Sequence, residues 1–248
     1  MLDWLRNDRI NPSVTIAGRH LPIAIRRHAR ARRLTMRLAH DGSEVRITLP
    51  SWGRTVDAMV FAQSRTAWLE QQLARVPQAL PVAPDGSIRY RGQVLRIDWH
   101  AARPRRPLVE ETSLRCGGPE DSLAQRIRRF LEQEALQLGA LELDHYCARA
   151  GQPLPTLRLS RAQRRWGSCS GARKGSKAQE RCIRINWRLV MAPDHVRRSV
   201  IAHEVAHLTH FDHSAAFYQT LGALYEGDLR AADHWLKEHG RTLYASFG

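Results

Sequence analysis

Of the side chains in this sequence that can do chemistry, His203, Glu204 and His207 stand in the spacing His-Glu-x-x-His, and a further histidine follows at His213. Four residues of α-helix turn through about 400°, so His203 and His207 lie within about 40° of one another on one face and their ring nitrogens can meet a single ion. Imidazole suits zinc, and this spacing is a signature of zinc-dependent hydrolysis. Glu204 lies one residue round from His203, placed to reach a zinc-activated water rather than the ion, which is the position of a general base. With 12 histidines and 12 glutamates in 248 residues, the three fixed letters would arise by chance about 0.03 times in such a chain.

His213 falls ten residues after His203, the offset at which the long motif H-E-x-x-H-x-x-G-x-x-H carries its third ligand. Three protein ligands leave the open position that a catalytic zinc needs. The predicted site is therefore Zn2+ held by His203, His207 and His213, with Glu204 as the catalytic carboxylate. Two departures from the long motif matter. His210 occupies the glycine position, so a residue with a side chain must make the turn back to the metal; histidine enters the left-handed region more readily than most, and His210 is also an alternative ligand ranked below His213. The last methionine is Met191, ahead of the motif, so the methionine turn of the metzincins is missing.

The elements that must position these residues follow from periodicity. Val196, Val200, His203 and His207 share one helix face, while Ile201, Val205 and Leu208 form a second apolar stripe, which predicts an interior helix starting near Pro193 and Asp194. Ahead of it, Cys182 to Leu189 alternates as a strand, with Ile183, Ile185, Trp187 and Leu189 on one side. That strand is expected to line the cleft and to pair with an extended substrate. A long helix is predicted over about Ser122 to Ala150, with Leu136 and Leu141 on its apolar stripe, and two helices over about Ser214 to Tyr225 and Leu229 to Tyr244, the first capped by Ser214 or Asp212. In the first half, hairpins are predicted around Gly18-Arg19, Asp41-Gly42 and Arg91-Gly92, and a helix over Val56 to Leu73. Arg103 to Pro119 reads as a linker.

The fold class is thus α+β: a strand-rich N-terminal region with one helix, residues 1–112, followed by a compact domain built on the HExxH helix, residues 113–248. Hydrophobic content of 43% with 25% charged residues is ordinary for a globular protein. Met1 to Ser13 has no apolar run of the secretory kind, and no stretch approaches the ~18–20 apolar residues of a membrane span, so no membrane partner is expected and the cytoplasm is the expected location. Cys116, Cys147, Cys169 and Cys182 form no close pair and are expected to be free thiols. The net charge of +15 and the run Arg26-Arg27-His28-Ala29-Arg30-Ala31-Arg32-Arg33 make a nucleic-acid partner a second possibility, although arginine supplies nearly all the charge, as a coding bias would.

Arg165-Trp166-Gly167-Ser168-Cys169-Ser170, then Asn186-Trp187-Arg188-Leu189, Ala192-Pro193, and His203 through Phe217 stand in the order found in the YgjP-like zinc metallopeptidases, which this sequence resembles over most of its length. That family is a compact zincin group related to the SprT-like and WLM proteases. The resemblance implies a zincin-like metallopeptidase domain, a peptide or protein substrate, His203, His207 and His213 as ligands, and Glu204 as the catalytic residue. Asp212 stands where the family carries asparagine and Tyr218 where it carries tryptophan, and neither is a predicted ligand. Gly171 to Arg181 is longer and more basic than the family's usual turn, which reads as a surface insertion or a flap. Ser168, Arg165 and Tyr218 are candidate oxyanion or substrate contacts, and Trp166 is expected in the core. Two further readings stay open: a nucleic-acid-associated protease, and a non-catalytic module stabilised by zinc.

Overall fold

The computed structural model describes residues 12–39, 41–76, 80–171 and 181–247, and the chain forms two compact units, Met1–Gln78 and Ala79–Phe247. The break falls ahead of the Arg91-Gly92 strand pair, which the sequence reading groups with the N-terminal region. Of the Gly171 to Arg181 segment only the two end residues lie within the described residues.

In the first unit, β1 (Ser13–Ile16) and β2 (Arg19–His28) form the expected antiparallel hairpin. Its turn is Ala17-Gly18, with φ of 47° and 76°, the left-handed pair that a two-residue hairpin turn demands. With β3 (Thr35–Leu38) and β4 (Val45–Pro50) these strands make a sheet of order β1-β2-β4-β3, in which β2 and β4 run parallel. Leu21, Ile23, Val45, Ile47 and Leu49 are buried in one cluster with Ala58, Ala62 and Leu69. Those last three come from α1 (Thr55–Gln63) and α2 (Thr66–Ala74). The single helix expected over Val56 to Leu73 is therefore two, because the Arg65 N–H bonds the Ala62 carbonyl three residues back and closes the first helix with a tight turn. In the basic run, Arg27 is committed to the fold, donating to the Gly53 carbonyl and the Thr55 hydroxyl.

The second unit opens with β5 (Ser87–Tyr90), β6 (Gln93–Trp99), β7 (Leu108–Glu110) and β8 (Ser113–Cys116), in sheet order β5-β6-β8-β7. The expected linker thus holds two strands; with three and four residues they bury only Leu114 and Cys116, too little for periodicity to reveal. The expected long helix is α3 (Leu123–Arg149). Leu136 and Leu141, predicted on its apolar stripe, are exposed, and Ala135, Gly139, Leu143 and Tyr146 carry the buried face instead. A side-chain carbon at Gly139 would fall 2.7 Å from Ile185 Cδ1, so the Ile185 side chain would have to shift to admit one.

Behind α3 lies a three-stranded sheet, β9 (Thr156–Ser160), β10 (Gly167–Ser170) and β11 (Cys182–Asn186), in the order β10-β11-β9. The strand expected to reach Leu189 stops at Asn186, whose side-chain oxygen accepts the Arg188 N–H and starts a 3-10 helix over Trp187–Met191. All five residues of that turn are buried, so the apparent alternation did not separate two faces. The chain closes with α4 (Asp194–Ala206), α5 (Ala215–Leu224), α6 (Leu229–His239) and a 3-10 turn, Gly240–Tyr244. The architecture is α+β, strand-rich first and helical later, as expected. Among the described residues no helix is long and apolar enough to cross a membrane.

Candidate metal centre and active site

The histidine-bearing helix is held from both sides. Val196 and Val200 on one face and Ile201, Val205 and Leu208 beyond it are all buried, as the two-stripe pattern predicts. Its first turn is fixed by charge: Arg197, 1% exposed, pairs with Glu142 of α3 at 2.6 Å and with Asp194 at 2.9 Å, and Arg91 closes on Asp194 at 2.5 Å. Burial pushes the Glu142 carboxyl up, against the pull of Arg197. The bond from Arg197 to Glu142 on α3 and that from Arg91 to Asp194 tie the first turn of α4 to two other segments, which fixes the rotation of the helix that aims the histidines.

After α4 the N–H groups of Leu208, Thr209 and His210 bond back to the carbonyls of Val205 and Ala206. These tight bonds turn the chain without a left-handed residue at His210, which corrects the expectation drawn from the missing glycine. Among the described residues the only non-glycine positive φ angles are at Ala17, Asp85 and Arg91. His210 is not in the histidine group either; its carbonyl accepts the His207 Nδ1–H at 2.8 Å. That bond leaves the lone pair of His207 on Nε2, facing inward.

His203 Nε2 lies 3.2 Å from His207 Nε2 and 3.2 Å from His213 Nε2. The three rings stand on Phe217, which is fully buried with its centroid 4.5–4.9 Å from each imidazole. Phe217 is set by the first turn of α5, where its N–H meets the Ser214 hydroxyl; Ser214 is the cap, not Asp212. Burial together with its two histidine neighbours lowers His203 to about 4, keeping the ring in the neutral form that can ligate.

Glu204 is 5% exposed and lines the same cleft as His203. Burial pushes its carboxyl up to about 7, against the opposing effects of Arg165 and of the Cys169 N–H that it accepts. The glycine of the Trp-Gly-Ser-Cys block explains how it fits, because a side-chain carbon on Gly167 would fall 2.4 Å from Glu204 Oε1. Asn186 holds the approach to this strand: its side chain donates to the Ala162 carbonyl, and its N–H to the Trp166 carbonyl at 2.7 Å. Trp166 packs against Tyr244 with centroids 5.8 Å apart, as a core residue should, yet it also lines the cleft. Arg165 and Tyr218 line the cleft as well, and Ser168 does not.

One positional expectation is overturned. The strand containing Cys182 is central, paired by β10 on one edge and β9 on the other, so it has no edge to offer a peptide. Among the described residues the open edge beside Glu204 belongs to β10.

A family model for the YgjP-like metallopeptidase domain matches residues 32–239. The chain belongs to the YgjP-like metallopeptidase family. Comparison with curated proteins and with solved structures gave no match. Membership makes the chain a hydrolase by family, with protein as its substrate, and implies a bound metal. The residues present fit one. Tetrahedral nitrogens at about 2.0–2.1 Å from an ion stand about 3.3–3.4 Å apart, close to the 3.2 Å found for two of the three pairs. Among the described residues His203, His207 and His213 are the only group of three potential ligands so gathered.

His203, His207 and His213 lie together, and Glu204 lines the cleft beside His203. Phe217, Gly167 and Asn186 escaped residue-level reasoning because none carries chemistry itself. The signal for them lay in the family blocks, as the aromatic pair, the Trp-Gly-Ser-Cys run and the asparagine after the strand.

Proposed function

We propose that this member of the family is a zinc-dependent peptidase in which His203, His207 and His213 hold the ion and Glu204 is the general base. The observation that carries the reading is the convergence of three imidazole nitrogens on one point beside a buried carboxylate in an open cleft. When bound, zinc supplies a Lewis acid for the scissile carbonyl and lowers the pKa of a water towards about 7. Glu204 takes a proton from the attacking water and returns it to the leaving amine. Burial supports this role, since it raises the affinity of the carboxylate for the proton it must accept. The Cys169 N–H and the lack of a side chain at Gly167 fix where its oxygens stand.

The edge of β10 that stays open among the described residues supplies backbone groups for an extended peptide, which would add as a fourth strand alongside Glu204. Arg165 and Tyr218, both in the cleft, are the candidates to meet the carbonyl oxygen as charge develops on it. Four free thiols fit a reducing compartment, and the cytoplasm is the proposed location.

The test is metal content by inductively coupled plasma mass spectrometry together with turnover. The native chain should carry about one zinc, His213→Ala clearly less, and Glu204→Gln should keep its zinc while losing roughly 100-fold or more in hydrolysis. Unchanged hydrolysis by Glu204→Gln would remove Glu204 from the reaction, and no metal in the native chain after zinc is added would overturn the site.

A further inference from the structure

The cleft beside Glu204 extends well past the reacting groups. It encloses about 680 Å³ between β10, α4, α5 and α6, within the range of about 300–1,000 Å³ typical of ligand sites. Beyond His203 and Glu204, its walls are Val200, Leu221, Leu229 and Leu236. Val200 and Leu221 are buried and Leu229 and Leu236 half-buried. Two of the polar groups here are already paired. Ser199 Oγ donates to the Val196 carbonyl at 2.8 Å, and Asp233 is held by Lys237 at 2.6 Å. Arg165 acts on Glu204 itself, and Arg230 stands exposed on the α6 side. Against the wall of Val200, Leu221, Leu229 and Leu236 a polar side chain would give up water without gaining a partner, whereas an apolar one gains burial.

We infer that this cleft selects an apolar side chain next to the scissile bond, so that the substrates are extended peptide segments bearing leucine, methionine or phenylalanine at that position. The inference rests on the peptidase reading and deepens it. The surface beyond the cleft agrees. Tyr218 is 57% exposed and Phe211 63% exposed. The Phe211 ring lies over the end of β10, where a side-chain carbon on Gly171 would meet it at 2.3 Å. An extended chain along β10 therefore runs from the apolar cleft at Gly167 to an exposed aromatic at Gly171. Segments with such side chains are buried in folded proteins, so unfolded or locally opened chains are the matching substrate class.

The experiment presents the zinc-loaded enzyme with a peptide mixture in which one position flanking the cleavable bond varies, with products read by mass spectrometry. In parallel, binding of the same peptides to zinc-loaded Glu204→Gln is measured by fluorescence anisotropy. Leucine, methionine or phenylalanine at the selective position should be favoured over serine or asparagine by about 10- to 100-fold in both readouts. Leu229→Trp should shift the preference to alanine or valine, and Leu229→Ala should broaden it towards larger rings, with circular dichroism checking that each variant is folded. Hydrolysis that proceeds with no preference among side chains, or a preference that neither variant moves, would overturn the inference and leave the peptidase reading intact. Selective binding by Glu204→Gln without hydrolysis by the native enzyme would support the cleft assignment while removing the peptidase reading. Neither binding nor hydrolysis would sink both.

Discussion

The sheet of the first unit and the three-stranded sheet of the second obey different rules. In β2 and β4, Leu21, Ile23, Val45, Ile47 and Leu49 point to one buried layer and their neighbours point away from it, so each position is accounted for by the fold. Around β10 and β11 the chain places residues that fold-building alone would not choose. Gly167 and Ser168 occupy an edge strand, Asn186 is fully buried at a strand end, and Glu204 and Arg197 are charged side chains at 5% and 1% exposure. Each is tolerated because a neighbour satisfies it, and each touches the histidine helix or the strand beside it. Local structure is given up where the site needs space or a fixed direction.

Glycine offers the sharpest way to break this comparison. Gly167→Val should lower hydrolysis by about 100-fold or more, since the added carbons displace the Glu204 carboxylate and displacements of an ångström at a reacting group cost that much. Zinc content should be unchanged, because the histidines are not touched. Gly18→Ala is its counterpart in the first unit: it has open space around it but a φ of +76°, so it should cost roughly 1–2 kcal/mol of stability and no activity. Denaturant melts with parallel rate measurements distinguish the two. Equal activity losses would mean that Gly167 is a folding residue like Gly18.

The same contrast explains what was legible in advance. The first sheet could be read from alternation, and the metal helix from two apolar stripes and a spacing that chemistry demands. The segment from Arg103 to Pro119 reads as a linker because β7 and β8 are too short to show a period, and the pairing of β8 with β6 and of β7 with β8 is set by tertiary neighbours. Trp187 to Leu189 alternated like a strand, but the Asn186 cap and burial on every side make a 3-10 turn. Leu136 and Leu141 show that an apolar residue on a helix need not face the core, while Gly139 faces it where the Ile185 side chain packs close against α3. At the site, residues that bond to the ion or the water announce themselves by type. Those that make room or supply a floor, Gly167 and Phe217, become visible only when the neighbour they serve is in place.

Next in size is the buried charge network. Arg197→Ala leaves Glu142 without its partner and should destabilise the second unit by roughly 3–5 kcal/mol, whereas Arg37→Ala, on the exposed side of β3, should stay within about 0.5 kcal/mol. Replacing both partners, Arg197→Met with Glu142→Leu, should recover much of the loss, because the cost comes from an unpaired buried charge. If the double variant is as unstable as the single one, the network does more than satisfy charge. A smaller effect is expected beneath the histidines. Phe217→Leu keeps an apolar floor but loses the ring that meets all three imidazoles. Zinc affinity, measured by competition with a chromophoric chelator, should fall about 10-fold as the rings loosen. An unaltered affinity would show that α4 and the His210 carbonyl position the ligands without help from below.

The least change is expected on removing the metal. Leu143, Tyr146, Ile183, Ile185, Ile201, Val205 and Phe217 form a buried cluster around α4 that is complete without an ion. Chelation should therefore leave the far-ultraviolet circular dichroism within a few per cent, and the apo protein should still melt cooperatively at a lower temperature. A zinc that serves only to hold the domain together makes the opposite prediction, since its binding energy is folding energy and the apo chain unfolds. A cooperative apo melt with activity restored by added zinc would thus separate a catalytic ion set in a finished core from a structural one. Loss of structure on chelation would make the second unit's core dependent on the metal, and the contrast with the first sheet would then be one of stability as well as chemistry.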